Sequence, residues 1–353
     1  MLSMTLQLAG ETVVLSIPLL FLVGAVVGIL GGFFGVGGGW IVTPVLNILG
    51  LPMTHAVGTG FAYIFGMSGV SAWKHRGHGN LEYRLGLIIG LSMIVGVKLG
   101  KMTMMALASG GNADVVVRWI YVVFLLGLGT FMLYETLRSA GREQASEVDS
   151  EDATGTATPG DNERPALCQR LNLGPHIRLP KTGIRVSLPP LIVIGLFAGY
   201  MSGIMGVGGG FLLMPIMVYL VGVPTTVAVG TSLVCILLAS PFGLFEYWRE
   251  GFVAFPAAGA MVVGAVVGAP LGVWASKLLH GRWLRLMYAV MIILGGVSVV
   301  LKQVSTMSSV PGLDLASRIV ILGAAGGMGV MILLMASRKQ EKCAPNSGGE
   351  TQD

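Results

Sequence analysis

The sequence predicts an all-α polytopic membrane protein with two inverted repeats, and three observations lead to this fold class. First, 54% of the 353 residues are hydrophobic and only 11% are charged, whereas a soluble domain carries about 25% charged residues. Second, apolar stretches long enough for membrane helices of about 20 residues recur along the chain. Third, the two halves of the chain repeat one glycine-rich pattern. The apolar runs do not alternate with polar residues, which argues against a transmembrane β-barrel.

Each half is predicted to contain five helical segments, and one unpaired helix follows. In the first half the segments lie near 13–34, 39–50, 54–74, 83–105 and 115–138. In the second half they lie near 188–205, 210–222, 226–249, 254–279 and 283–302, and the unpaired helix lies near 313–336. The second segment of each half is short, about eleven residues, and would cover only about half of a 30 Å membrane core.

A polar segment separates the two halves. It contains "EQASEVDSEDATGTATPGDNERP", which is acidic and rich in Thr, Ser, Gly and Pro, and such a composition cannot bury enough apolar surface to become ordered. We therefore expect a membrane repeat over 1–138, a disordered cytoplasmic linker over 139–187 and a second membrane repeat over 188–303. An extra transmembrane helix is expected within 304–337 and a cytoplasmic tail over 338–353.

The internal repeat is clearest around two glycine clusters. The pattern "GVGGG" occurs at 35–39 and again at 206–210, and a proline follows each copy at the same distance. Slightly further along, "LPMTHAVGTGF" at 51–61 matches "VPTTVAVGTSL" at 223–233. The stretch "RWIY" in the first half likewise matches "RLMY" in the second. Ordered matches across both halves indicate that they share one architecture.

The distribution of basic residues predicts the orientation of the repeats. If the linker is cytoplasmic, its side of the membrane collects 16 of the 22 Lys and Arg residues, in agreement with the positive-inside rule. Because each half has an odd number of segments, the second half then enters the membrane from the opposite side. The repeats are therefore predicted to be inverted, as in many secondary transporters. We expect a multi-pass protein of the cell inner (plasma) membrane.

Three interpretations of "GVGGG" can be compared. A phosphate-binding loop would need glycine where Trp40 and Phe211 stand. Close helix packing explains glycines that recur every four residues, but it explains contiguous glycines less well. A helix break at membrane depth is tolerated where it is buried or lines a cavity, and the short helix after it would direct free N–H groups towards the midplane, which suits an anion. The predicted site residues are Gly37, Gly38 and Gly39 in the first half and Gly208, Gly209 and Gly210 in the second.

The paired motifs resemble a known family. "GVGGGWIVTPVL…LP…AVGT" and "GVGGGFLLMPIM…VP…AVGT" are similar to the TauE/SafE family of sulfite exporters, and the resemblance covers both membrane halves. It implies transport of small sulfur-containing anions such as sulfite or organosulfonates. The long charged linker and the extra C-terminal helix depart from the family pattern.

Five further residues are candidates for the substrate path. Thr59 and Thr231 occupy matched positions, with Ser232 beside the second. Their hydroxyls could line the cavity, or they could bond to their own helix backbone. Lys98 could attract an anion from within a spanning helix, or its ammonium could extend to the interface. Asn47 could line the path or bond to a neighbour.

Other classes of function find less support. "GMSG" at 66–69 fits the G-x-S-G motif of intramembrane serine proteases, but all five histidines fall at segment ends, in loops or in the linker, and a nucleophilic serine needs a base within reach. A non-transporting scaffold would need neither repeats nor breaks. The basic residues form no patch for nucleic acid, and the three cysteines form no metal motif. We therefore expect a carrier without a cofactor, whose partners are a small anion and the lipid bilayer; its oligomeric state is not indicated.

Overall fold

The structure is a computed structural model, and it describes residues 3–8, 11–76, 81–149, 174–178, 183, 185–278, 281–308 and 311–343. The first half contains the strands β1 (Ser3–Leu8) and β2 (Glu11–Ser16) and the helices α1 (Ile17–Phe34), α2 (Gly39–Ile48), α3 (Met53–Arg76), α4 (Tyr83–Ser109) and α5 (Ala113–Asp149). The second half contains the strands β3 (His176–Arg178) and β4 (Arg185–Ser187) and the helices α6 (Leu188–Met205), α7 (Gly210–Pro215), α8 (Thr225–Trp248), α9 (Phe255–Leu278), α10 (Gly281–Ser308) and α11 (Pro311–Cys343). A π-helical turn, Ile216–Val221, continues α7.

The fold class predicted from the sequence is confirmed. Within the described residues, eight helices are long and apolar enough to cross a membrane, namely α1, α4, α5, α6, α8, α9, α10 and α11. Helix α3, which is the repeat counterpart of α8, is more polar and is not one of these eight. It carries residues such as His55 and Ser71, and both are buried inside the protein. A helix that is covered by other helices does not need the apolar surface of one that faces lipid.

The ends of several segments differ from the prediction. Two strands, β1 and β2, pair in an antiparallel hairpin, so α1 begins at Ile17 rather than near residue 13. The fifth helix, α5, continues to Asp149, and β3 pairs with β4 immediately before α6. These three features lie in polar or mixed sequence, where hydrophobic periodicity gives little information on secondary structure.

Glycine seams join the two repeats. The most extensive helix contacts in the protein pair α1 with α9 and, equivalently, α4 with α6. On α1, Gly24, Gly28 and Gly32 lie against the α9 backbone at 261, 265 and 269. Their counterparts on α6, Gly195, Gly199 and Gly203, lie against the α4 backbone between 89 and 101. Small residues at every fourth position let the backbones of membrane helices approach closely, so the first helix of each repeat packs against the fourth helix of the other.

The contacts also fix the directions of the helices. Along α3 and α8 the contacts run in opposite order, because Gly58 lies against Tyr247 while Gly69 lies against Leu237. These two helices are equivalent in the repeats, so their antiparallel directions show that the repeats are inverted, as predicted. Along both glycine seams the contacts run in the same order. We call the side where α3 ends and α4 and α6 begin the linker face, and the other side the opposite face.

The short helices α2 and α7 lie in the interior. Every residue of α2 is buried, including Thr43 and Asn47, and its 10 residues rise only about 15 Å. A proline lies inside each short helix, where it provides no N–H to the preceding turn, and after Pro215 the chain changes to π-helical bonding. The antiparallel pair α5 and α10 covers this region from outside, where a Cβ added at Gly295 would lie 2.9 Å from the Trp40 ring.

The seam between α4 and α6 can be tested by adding a side chain. We expect Gly199→Val to destabilise the protein, because a Cβ at Gly199 would lie 2.2 Å from the Met93 carbonyl oxygen, and overpacking costs about 1–3 kcal/mol or more. The apparent melting temperature and the monodisperse fraction on size-exclusion chromatography in detergent measure this effect. The control is Gly323→Val on α11, where nothing lies within 4 Å of the added Cβ. Equal stability of the two variants would contradict the seam.

Candidate functional site

Each glycine cluster forms a break between two helices. The first helix, α1, ends at Phe34, and the N–H groups of Gly35 and Val36 both donate to the Gly31 carbonyl oxygen. Gly37 and Gly38 then follow, each with a φ of 73°, a backbone conformation that costs a residue with a side chain about 1–2 kcal/mol. The second cluster repeats this conformation at its equivalent glycines. The contiguous glycines are therefore required by the break itself, and helix packing does not explain them.

The two breaks meet at the centre of the protein. We call residues 35–39 the first glycine loop and residues 206–210 the second glycine loop. A Cβ added at Gly39 would lie 2.7 Å from the Val207 carbonyl oxygen, and one added at Gly210 would lie 2.4 Å from the Val36 carbonyl oxygen. This reciprocal contact follows the two-fold symmetry of the repeats. All residues of both loops are buried, so the structure is closed towards both faces.

Backbone N–H groups in both loops make no well-formed hydrogen bond within the described residues. After the first break, backbone hydrogen bonding resumes with Ile41 and Val42, which donate to the Gly38 carbonyl oxygen. Within the described residues, the preceding N–H groups from Gly37 to Trp40 make no well-formed hydrogen bond, although 37–38 forms a tight turn, and no side chain caps α2. The second loop repeats this arrangement before Leu212. Buried N–H groups are rarely left unpaired in proteins, so these amides can bind an anion.

Two isoleucines fill the space beside both loops. A Cβ at Gly37 would lie 3.2 Å from Ile64 Cγ2 and 3.5 Å from Ile236 Cδ1, and one at Gly208 would lie within 3.1 Å of Cγ2 of both isoleucines. Ile64 and Ile236 are fully buried and occupy equivalent positions on α3 and α8. The nearest neighbours of the loop glycines, side chains and backbone alike, belong to uncharged residues. The centre is therefore neutral and offers hydrogen-bond donors.

The two predicted threonines join the repeats. Thr59 Oγ1 accepts a hydrogen bond of 3.0 Å from the N–H of Ala254, just before α9. Thr231 Oγ1 accepts one of 3.1 Å from the N–H of Glu82, just before α4. Each threonine thus accepts a hydrogen bond from a backbone N–H group at the start of a helix in the other repeat, where helices lack internal acceptors. Their predicted role in substrate binding is a separate hypothesis, which these contacts do not address.

Ser232 and Asn47 also bond to other elements. Ser232 Oγ donates to the Gly35 carbonyl oxygen at 2.6 Å and so fixes the first glycine loop on α8. Asn47, at the end of α2, donates to Asp114 Oδ1 at 3.0 Å and accepts from Arg118 Nε at 3.0 Å. Lys98 is exposed on α4, on the outside of the helix assembly. The structure therefore brings together the six predicted glycines and Ser232, and it places Asn47 and Lys98 away from them.

Arg118 is the centre of a buried polar cluster that the sequence did not predict. It belongs to the "RWIY" match, which served only to align the repeats. Its guanidinium is buried, and besides Asn47 it contacts Thr306 at 3.2 Å and Asp114 at 3.5 Å. Together with Lys302 it lines a small cavity between α2, α5 and α10, on the side of the opposite face.

An ion-pair cluster joins α4 to the end of α8 at the opposite face. Lys101 Nζ lies 2.6 Å from Glu250 Oε1 and 3.7 Å from Glu246 Oε2. The hydrogen bond from Lys101, together with its charge, lowers the pKa of Glu250 from its ordinary value. Glu250 is therefore ionised at neutral pH, and the cluster contributes a contact between the two repeats at this end.

Two inverted repeats whose broken helices meet at the centre form an architecture typical of secondary membrane transporters. The sequence model of the family described as sulfite exporter TauE/SafE matches residues 20–299. The chain belongs to this family, and it is a membrane transporter.

Curated relatives agree with this class. A probable membrane transporter protein of Methanocaldococcus jannaschii is 27% identical over 301 residues, which cover 80% of this chain and 95% of the relative. A probable membrane transporter protein of Bacillus subtilis is 24% identical over 80% of this chain and 96% of its own. A probable membrane transporter protein of Xylella fastidiosa is 26% identical over 256 residues, which cover 71% of this chain and 80% of the relative. No solved structure matches the chain.

The hydrogen bond of Thr59 can be tested by removing its hydroxyl. We expect Thr59→Val to lower the free energy of unfolding by about 1–3 kcal/mol, because the N–H of Ala254 would be left buried without an acceptor. Thr59→Ser keeps the hydroxyl and is expected to retain most of the stability. Unfolding of both variants in mixed micelles, followed by circular dichroism, measures the difference. A Thr59→Val protein as stable as the parent would show that the bond contributes nothing.

Proposed function

We propose that the protein is a secondary carrier or facilitator of small, sulfur-containing anions such as sulfite or organosulfonates. The observation that carries this proposal is the pair of glycine loops with unpaired N–H groups in a neutral, buried centre. Amide donors bind oxyanions, and hydrogen bonds to a charged acceptor are roughly twice as strong as neutral ones. Among the described residues, the nearest neighbours of the loop glycines include no carboxylate that could bind a cation. The description of the family as sulfite exporters supports sulfur oxyanions as the substrate class.

The proposed transport cycle requires the loops to separate. The first loop is attached to α1, which is packed against α9, and the second is attached to α6, which is packed against α4. The glycine seams hold each pair tightly, so we propose that the two moving bodies are the pairs α1 with α9 and α4 with α6. Each body then combines helices from both repeats. Rocking of one body against the other would open the loops to one face at a time.

The proposed location is the inner membrane, with the linker and the C terminus in the cytoplasm. The structure brings the end of α3, the starts of α4 and α6 and the strands β3 and β4 to the linker face. Arg84 on α4 donates a hydrogen bond to the Arg178 carbonyl oxygen of β3, which supports this arrangement. The excess of Lys and Arg on this face favours a cytoplasmic position.

Transport in proteoliposomes tests the proposed substrate class. We expect saturable uptake of sulfite or an organosulfonate, with sulfate, thiosulfate and chloride as comparison anions, because the neutral site recognises an oxyanion through several amide donors at once. Radiolabelled anion uptake, with protein-free liposomes as the control, is the measurement. If purified, monodisperse protein moves none of the sulfur anions, the proposal is wrong.

Alanine at the loop glycines tests the site. We expect Gly37→Ala and Gly208→Ala to reduce uptake at least about tenfold, because the added methyl groups would point at Ile64 within 3.2 Å and crowd the loop amides. Gly111→Ala is a matched control, since Gly111 has a similar φ of 71° and nothing within 4 Å of an added Cβ. The control carries the same backbone strain outside the site. Uptake at the level of Gly111→Ala in both loop variants would exclude the loops from the site.

A further inference from the structure

Two buried serine hydroxyls, one on α3 and one on α8, have no hydrogen-bond partner within the described residues. Ser68 on α3 and Ser240 on α8 are fully buried, and in the described part of the chain neither Oγ atom has a donor or acceptor within reach. Serines in membrane helices usually bond to a backbone carbonyl one turn earlier. Other serines of this protein follow that rule, for example Ser92, which donates to the Ile88 carbonyl oxygen, and Ser276, which donates to that of Val273. The two unpaired hydroxyls therefore need an explanation.

The position of Ser68 relates it directly to the first glycine loop. A Cβ added at Gly37 would lie 3.2 Å from Ser68 Oγ, so the hydroxyl points at the part of the loop whose N–H groups are unpaired. Ser68 lies one helical turn after Ile64, which contacts the same glycine. Ser240 lies one turn after Ile236, which contacts Gly208 in the second loop. The two serines are therefore equivalent in the repeats.

The antiparallel directions of α3 and α8 place the serines on opposite sides of the isoleucine pair. The chain of α3 runs towards the linker face, so Ser68 is displaced from Ile64 in that direction. The chain of α8 runs towards the opposite face, so Ser240 is displaced from Ile236 the other way. The first glycine loop follows the linker-facing end of α1, and the second follows the end of α6 that faces the opposite side. Ser68 therefore lies on the same side of the isoleucine pair as the first glycine loop, and Ser240 lies on the same side as the second.

We propose that Ser68 and Ser240 are substrate ligands in two half-sites for a small oxyanion. The first half-site combines Ser68 with the amides of the first glycine loop and opens towards the linker face. The second combines Ser240 with the amides of the second glycine loop and opens towards the opposite face. Ile64 and Ile236 separate them. This inference rests on the proposed function, since it assigns the hydroxyl donors of the same anion site.

A third unpaired hydroxyl makes the second half-site richer in donors. Ser202 on α6 is fully buried and its Oγ also has no partner among the described residues. Its counterpart in the first repeat is Gly31, and a Cβ added there would lie 2.9 Å from the Gly38 nitrogen. By equivalence, the Ser202 side chain faces the second loop. The second half-site therefore has two hydroxyl donors where the first has one.

A purely structural role for these serines predicts a different outcome on mutation. A hydroxyl that bonds to the protein stabilises it, so its removal lowers stability. An unpaired buried hydroxyl gives no such stabilisation, and replacement by alanine leaves stability unchanged or raises it. A substrate ligand shows its contribution in binding instead. Stability and substrate affinity, measured on the same variants, therefore separate the two roles.

The test compares Ser68→Ala and Ser240→Ala with Ser276→Ala in reconstituted full-length protein. We expect each of the first two variants to raise the KM for sulfite uptake about tenfold, because a hydrogen bond to a charged ligand is lost, with an unchanged melting temperature. Ser276→Ala, which loses a bond to its own helix and is not among the nearest neighbours of the loop glycines, is expected to keep the parental KM. Thermal stabilisation of the detergent-solubilised protein by sulfite is a second readout, and both loop-side variants are expected to need about tenfold more sulfite for the same shift.

The possible outcomes are distinct. If the parent protein takes up sulfite and both variants keep its KM, or if they unfold at lower temperature with an unchanged KM, the serines are not ligands and only this inference is wrong. If the parent protein neither takes up nor is stabilised by any sulfur anion, the proposed function and this inference are both wrong. A raised KM and a weaker sulfite shift with unchanged stability support the half-sites.

Discussion

The contact between the two glycine loops is the constraint on which the rest of the structure depends. Breaking a helix at membrane depth leaves backbone groups that lipid cannot satisfy, so the break must be enclosed by protein. Here each break is covered by the other, and the isoleucines of α3 and α8 and the pair α5 and α10 enclose both. This enclosure requires α1 and α6 to lie very close to their neighbours, which explains why their glycines recur every four residues. The contiguous glycines and the spaced glycines thus serve one arrangement.

The same constraint explains why helices of one repeat pack against helices of the other. Helix α1 packs on α9 of the other repeat, and α9 begins beside Thr59 on α3. Equivalently, α6 packs on α4, and α4 begins beside Thr231 on α8. A helix start has N–H groups without internal acceptors, and a threonine hydroxyl inside the protein supplies one. Ser232 adds a bond from α8 to the first glycine loop. A loop therefore cannot move without the helices that carry these bonds, which favours motion of whole bodies over local opening.

Much of this architecture could be predicted from the sequence, and the reason lies in the kind of signal. Helix positions, the half-length helices and the inversion follow from hydropathy, glycine spacing and charge, which are patterns along the sequence itself. The partners of polar side chains depend on distances between elements, and a single sequence does not contain them. The sequence thus indicated Thr59 because it matches Thr231, but not its hydrogen bond with Ala254. Ser68 stood out only as part of the protease-like motif "GMSG". Ser240 lies outside the matched stretch at 223–233, and the sequence could not show that both hydroxyls lack partners.

The location of charge in the protein fits the proposed carrier, which must be stable both empty and loaded. An arginine beside the glycine loops would bind an anion strongly, but a buried charge without a partner costs several kcal/mol when the site is empty. Backbone amides and serine hydroxyls are neutral, so an empty, closed centre has a much smaller penalty. The buried guanidinium of Arg118 lies instead towards the opposite face, where Asp114 pairs with its charge and Asn47 accepts a hydrogen bond from it. Neutral donors at the centre and charges near the ends allow the loops to close on each other in the absence of substrate, as the proposed carrier requires when it returns empty.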